Sequence, residues 1–208
     1  MKTILTILLL TITIYSKAQV VRDTIQKSIN LDEVVKSVNK TEEMKRQVAS
    51  QILVINSKQI QFDNPQTSAD LLTNTGQIMV QKSQQGGGSP IIRGFEASRV
   101  LMVIDGVRMN NLIYRSGHLQ NIITVDPSLL QKVEVYFGPS STVYGSDALG
   151  GTIHFMTKKP ELSPEGNKPL TLNFVQRFSS VNNASTTHFN FNLGGKKFAS
   201  LTGITYNS

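Results

Sequence analysis

Past Pro160 the chain stops mixing patterns and begins to alternate apolar with polar residues, and that change limits its fold more than any other feature. The segments are "LTLNF" (170–174), "HFNFNL" (188–193) and, more loosely, "KFASLTGITYNS" (197–208). A period of two puts the apolar side chains of a strand on one face. Two sheets satisfy that pattern: an ordinary half-buried antiparallel sheet, or a transmembrane barrel whose apolar side chains meet lipid. Taken alone, the segments favour the ordinary sheet, because the barrel signal is weak in any single strand. A Pro/Gly-punctuated linker, "KPELSPEGNKP" (159–169), marks the boundary.

Upstream the pattern is different. Strands are predicted in "QILVI" (51–55), "QIMVQKS" (77–83), "PIIRG" (90–94), "SRVLMVIDGV" (98–107), "KVEVYF" (132–137) and "GTIHFMTK" (151–158). Within the fourth, Val100 to Ile104 is apolar without alternation, as in a strand covered on both faces. "TSADLLTNTG" (67–76) reads as a short helix with Thr67 or Ser68 as N-cap and Gly76 just past its end. In "DPSLLQK" (126–132), Asp126 caps a turn with Pro127 at its first helical position. Short strands mixed with short helices give a compact α/β domain ending near Pro160. Residues 19–50 are polar and charged, with one β-prone island, "INLDEVVKSV" (29–38).

The first eighteen residues have the layout of an export signal. Lys2 supplies the positive end, Ile4 to Tyr15 the apolar stretch, and "SKA" (16–18) the small residues before a cut at Gln19. A membrane-spanning helix needs about 20 apolar residues, and this stretch has twelve, interrupted by three threonines. Cysteine is absent, so disulfides, zinc–thiolate sites and thiol nucleophiles are excluded. The net charge of +7 is scattered, without a dense basic tract or interleaved aromatics, and nucleic acid is not an expected partner.

Catalytic patterns are missing too. His118, His154 and His188 lie far apart, and neither a metal-binding H-E-x-x-H nor a G-x-S-x-G elbow occurs. The run "GGGSPIIRG" (86–94) does not fit a phosphate-binding loop. "GSDALGGT" (145–152) comes close to one, but has Gly151 where the lysine must stand. The reading is a non-enzyme with no resident cofactor.

The order of motifs then becomes telling. "SPIIRGFEASRVLMVIDGVRMNN" followed by "VDPSLLQKVEVYFGPSSTVYGSDALGGTIHFMTKKP" closely resembles the plug domain of TonB-dependent outer-membrane receptors. The likeness runs from about Gln51 to Pro160, with one departure: Phe137 stands before the Gly-Pro pair where the family usually has arginine. It implies an α/β (α+β) plug with a small mixed sheet and short helices, followed by the first antiparallel strands of an incomplete transmembrane β-barrel. The preference for an ordinary sheet is thereby reversed. The organisation becomes a signal peptide (1–18), an N-terminal periplasmic segment (19–50), the plug (51–160), a linker (161–167) and barrel strands (168–208). In such a lumen, the glycines at 86–88 and 145–151 would serve close approach of backbones rather than phosphate binding.

The resemblance also implies site residues. Leu31, Asp32, Glu33, Val34 and Val35 lie where the Ton box is expected, the segment that pairs with periplasmic TonB as an added strand. Arg93, Arg99, Arg108 and Arg115 would grip an anionic ligand, or else pair with carboxylates on the enclosing wall. "SGHLQ" places His118 where haem receptors of this family carry an axial iron ligand, with haem as transported ligand and not as cofactor. Expected partners are the TonB complex, the outer membrane, and haem, a haemoprotein or a siderophore-type ligand. The alternatives are a receptor for cobalamin or oligosaccharide, and a free-standing periplasmic plug-like adaptor.

Overall fold

The structure is a computed structural model that describes residues 33–36, 41–82, 88–109, 121–164, 170–180 and 183–208. The leader, the 86–87 glycines, Leu31, Asp32, Arg115 and His118 lie outside the described residues. All the described elements belong to one unit of the chain, Asp32 to Ser208.

The first elements of this unit are two short strands, β1 (Val34–Val35) and β2 (Glu43–Met44), paired antiparallel. The plug sheet has five strands: β3 (Ile52–Asn56), β6 (Val100–Ile104), β7 (Val107–Arg108), β8 (Leu130–Phe137) and β9 (Gly151–Thr157). Their order is β3-β8-β9-β6-β7, and β6 runs parallel to β9 while every other pair is antiparallel. A separate hairpin-like pair joins β4 (Met79–Lys82) to β5 (Gly88–Ile91). The mixed sheet expected for the plug is present.

Helices cover the sheet. α1 (Ser57–Asp63) starts on Asn56, whose side chain accepts the Gln59 N–H, and ends on Asn64 in the left-handed region. α2 (Ser68–Asn74) begins with a reciprocal box: Thr67 accepts the Asp70 N–H, and the Asp70 carboxylate accepts the Thr67 N–H. α2 buries Leu71 and Leu72 against Ile55, Met102, Val133, Val135, Ile153 and Phe155. The opposite face of β6, carrying Leu101 and Val103, packs on Tyr144 and Ala148 from α3 (Ser141–Tyr144) and its following turn. Val100 to Val103 are thus buried on both sides, which is why the sequence there does not alternate.

Within the plug, Gly88 and Gly150 serve close approach. A Cβ on Gly88 would lie 2.8 Å from Val80 Cγ1, and one on Gly150 would overlap the Phe95 side chain. The partner that comes close to these backbones is the plug itself.

Three long strands complete the described chain: β10 (Leu170–Ser179), β11 (Ala184–Gly194) and β12 (Ala199–Asn207), in an open antiparallel sheet. Its polarity is inside out. The face turned to the plug buries His188, Asn190 and Asn192, whereas Leu172, Phe174, Phe189, Leu193, Ile204 and Tyr206 are exposed on the other. The register stacks these apolar residues across strands, Phe174 opposite Phe189 and Phe189 opposite Ile204. A water-soluble sheet would bury the phenylalanines and expose the asparagines; a strand between lumen and lipid does the reverse. Among the described residues no helix is long and apolar enough to cross a membrane.

Candidate functional site

Three residues of the expected Ton box, Glu33, Val34 and Val35, are described, and both edges of their strand are occupied. On one edge β2 pairs with it, and Lys45 N–H donates to the Glu33 carbonyl at 2.7 Å. On the other edge two side chains of β8 take the place of a strand. Lys132 Nζ donates to the Val34 carbonyl at 3.1 Å, and Glu134 Oε2 accepts the Lys36 N–H at 2.8 Å. Lys132 and Glu134 are paired with each other at 2.7 Å. Glu134 has no exposed surface and Val35 is 1 % exposed. A donor and an acceptor two residues apart on β8 thus reproduce the alternation that a strand edge would offer.

His154 lies directly across the ladder from Glu134. Its Nε2 accepts the Gly106 N–H at 3.1 Å, tying β9 to the turn between β6 and β7. Burial holds its imidazole below the usual histidine range, against the opposite pull of Glu134 and Asp105. Asp105, in the same turn, accepts from the Thr157 N–H at 2.9 Å and from its hydroxyl at 2.6 Å.

Of the arginines expected at the ligand-facing end, the three described ones have separate partners. Arg93 donates to Gln51 Oε1 at 2.7 Å and lies 5.7 Å from the Phe137 ring centroid. Phe137, the departure from the family pattern, thereby gives Arg93 an aromatic face in the place of a second cation. Arg108 pairs with Asp147, a carboxylate of the plug and not of the wall. Arg99 is exposed, and its carbonyl accepts the Gly150 N–H at 2.8 Å. Among the described residues no group of three or more His, Asp or Glu is arranged to hold a metal ion.

The plug meets the long strands through polar groups. Arg177 of β10 donates to the carbonyls of Asn64 and Pro65 past the end of α1, and to Thr186 Oγ1. Asp126 accepts from Thr205 on β12. Between these ties lies a chamber of about 830 Å³, lined in part by Gln61, Pro65, Asp126, Lys158, Val175 and His188. Sequence reasoning gave Asp126 and Glu134 no more than a turn, cap or arginine-pairing role, and it passed over Arg177 and Lys132. Their partners are far away along the chain, and only the alternation around His188 carried a trace of this face.

A five-stranded mixed sheet with buried β6, wrapped by short helices and followed by inside-out strands, is the architecture of a receptor plug and its wall. The chain belongs to the TonB-dependent receptor plug domain family, whose model matches residues 44–152. Among curated proteins it is similar to vitamin B12 transporters BtuB of Vibrio vulnificus. It is 36% identical to that of strain CMCP6 over 140 residues, covering 65% of this chain and 22% of the relative. For strain YJ016 the figures are 32% over 129 residues, 61% and 20%. The chain thus spans about a fifth of the length of these relatives. In fold it is similar to FpvA of P. aeruginosa, solved with bound pyoverdines, at a TM-score of 0.70 and 16% identity, over 84% of this chain and 22% of that one. The alcaligin receptor FauA of Bordetella pertussis gives a TM-score of 0.65 at 16% identity, over 84% and 29%. These relatives are transporters and receptors, and the reading of the chain as a non-enzyme stands with them.

Proposed function

We propose that this chain is the plug of an exported outer-membrane receptor together with strands of its barrel wall, and that the receptor takes up a scarce nutrient with force delivered through TonB. The observation that carries this reading is the inside-out sheet: asparagine and histidine against the plug, phenylalanine and leucine away from it. The domain limits follow the sequence: a signal peptide over 1–18, an N-terminal periplasmic segment over 19–50, the plug over 51–160, a linker over 161–167 and wall strands from 168. TonB would take the segment 31–35 by β-augmentation, competing with Lys132, Glu134 and β2 for the backbone of its described part.

For the ligand, the reading is haem or another iron compound. His118 would supply an axial imidazole, and Arg93, Arg99, Arg108 and Arg115 would meet the carboxylates of the ligand. The identity to vitamin B12 transporters favours a second reading, cobalamin.

The test uses the receptor as expressed from its own gene, with haemin and cyanocobalamin as probes. His118→Ala is expected to change the haem absorption spectrum and weaken binding at unchanged outer-membrane levels, with His154→Ala spectrally silent. An unaltered spectrum and affinity would remove the haem assignment, and uptake of cyanocobalamin alone would establish the second reading. Val34→Pro, which removes a backbone donor and fixes φ, is expected to leave binding intact and abolish energised uptake. Equal loss of both would give the segment a folding role instead.

A further inference from the structure

Apart from the tie of Arg177 to Asn64 and Pro65, the contacts described between plug and wall gather at one corner, and the wall is shaped to receive it. As the chain leaves β9, Lys158 turns back on the 127–129 turn: its N–H donates to the Leu129 carbonyl and its Nζ to the Ser128 carbonyl, both at 2.8 Å. The next residues run along β11. Glu161 and Asn192 exchange two hydrogen bonds of 3.0 Å, Glu161 N–H to Asn192 Oδ1 and Asn192 Nδ2 to the Glu161 carbonyl. Ser163 N–H then donates to the Gly195 carbonyl at 3.1 Å.

Two glycines of the wall are dents for this corner. A Cβ on Gly194 would lie 2.6 Å from the Glu161 carbonyl oxygen, and one on Gly203 would lie 2.6 Å from Leu129 Cδ2. At Gly194 the approach is backbone against backbone and leaves no room for a Cβ, while at Gly203 the dent receives the end of the Leu129 side chain.

From the same corner a one-way chain of hydrogen bonds crosses all three strands. Asp126 accepts from the Thr205 hydroxyl, which leaves Thr205 Oγ1 to accept from His188 Nδ1 at 2.6 Å. With its proton on Nδ1, His188 accepts at Nε2 from Asn190 Nδ2 at 2.8 Å, and Asn190 Oδ1 accepts from Asn173 Nδ2 at 3.0 Å. Every donor points toward the Asp126 carboxylate, so the plug supplies the terminal charge that orders the lumen face of β10, β11 and β12.

We propose that this corner, residues 126–129 and 158–163 against β11 and β12, is the fixed mount of the plug, and that it stays closed while the plug's other contacts rearrange to let ligand pass. The N-terminal strand supports the division. Its holding groups, β2 on one edge and Lys132 and Glu134 of β8 on the other, belong to the plug side of the fold.

The proposal rests on the transport reading, and its test separates the two. Leu129→Cys with Gly203→Cys places a disulfide across the mount in the receptor expressed from its own gene. The oxidised receptor is expected to take up haemin or cyanocobalamin as fast as its reduced form. An uptake loss of about tenfold or more on oxidation, restored by dithiothreitol, would overturn the mount. If the wild-type receptor takes up neither probe, the haem and cobalamin readings fail, and hydrogen exchange on the unsubstituted receptor in outer-membrane vesicles decides the mount. The amides of Lys158 and Ser163 are then expected to exchange long after that of Lys36. Exchange as early as Lys36 would overturn it, and this measurement needs no variant to assemble.

Discussion

Glu134 has no exposed surface, yet its two oxygens serve two partners: one pairs with Lys132, the other accepts the Lys36 N–H. Removing the carboxylate leaves Lys132 without its ion-pair partner and Lys36 without its acceptor, at a cost of about 1–3 kcal/mol. Part of that cost is avoided if residues 33–36 come away. Glu134→Ala is therefore expected to turn Val35→Cys from a protected into a readily alkylated thiol, with β8 itself still folded. Continued protection would mean that Val35 burial alone holds the segment. His154 adds a dependence on pH. Its folded imidazole lies below the ordinary 6.5 mainly through burial, despite Glu134 and Asp105. Below that value the unfolded chain binds the proton more readily than the fold does, so stability is full above it and falls with acidification toward the lower folded value. Protonation at Nε2 would also end the bond from Gly106. Denaturant titrations at about pH 8 and about pH 5 are expected to show a loss that His154→Gln largely removes.

At the level of elements, caps and close contacts decide where the short helices sit. Thr67→Ala deletes one half of the box that starts α2 and should cost about 0.5–2 kcal/mol, read as a lower denaturation midpoint. Gly150→Ala drives a methyl into Phe95 and should cost about 1–3 kcal/mol, with Phe95→Ala in the same chain recovering part of it. These elements also separate what the chain displays from what it hides. α2 was legible because Thr67, the periodic leucines and Gly76 all lie within ten residues, and β6 because an apolar run without alternation has one cheap environment. α1 was not seen. It buries only Ile60 and leaves Phe62 85 % exposed, so it has almost no amphipathic signature, although Asn56 and Asn64 mark its ends. β1 falls within the β-prone island at 29–38, whereas β2, two residues long, is too short for any periodicity. The clamp of Lys132 and Glu134 was equally out of reach, since charged residues two apart on a strand usually stand in solvent, and their targets lie 98 residues away.

For the whole molecule, the ambiguous alternation after Pro160 is resolved by which face the plug occupies. Period two is common to a soluble sheet and a barrel wall, and no count of matches could choose between them. The plug covers His188, Asn190 and Asn192 and leaves Phe174, Phe189 and Leu193 outside, which selects the lipid-facing arrangement. A lysine at Phe189, midway along β11, should therefore cost up to about 2–4 kcal/mol of wall stability, while the same change at exposed Phe62 of α1 should cost far less. The most direct measurement of the central claim is lipid access. Single cysteines at Phe174, Phe189, Asn173 and Asn190, carrying a fluorophore in the membrane-embedded receptor, are exposed to lipids with brominated chains. Strong quenching at 174 and 189 with none at 173 and 190 is the expected result. Equal quenching at all four sites, or quenching at the asparagines alone, would contradict a plug lodged behind an inside-out wall.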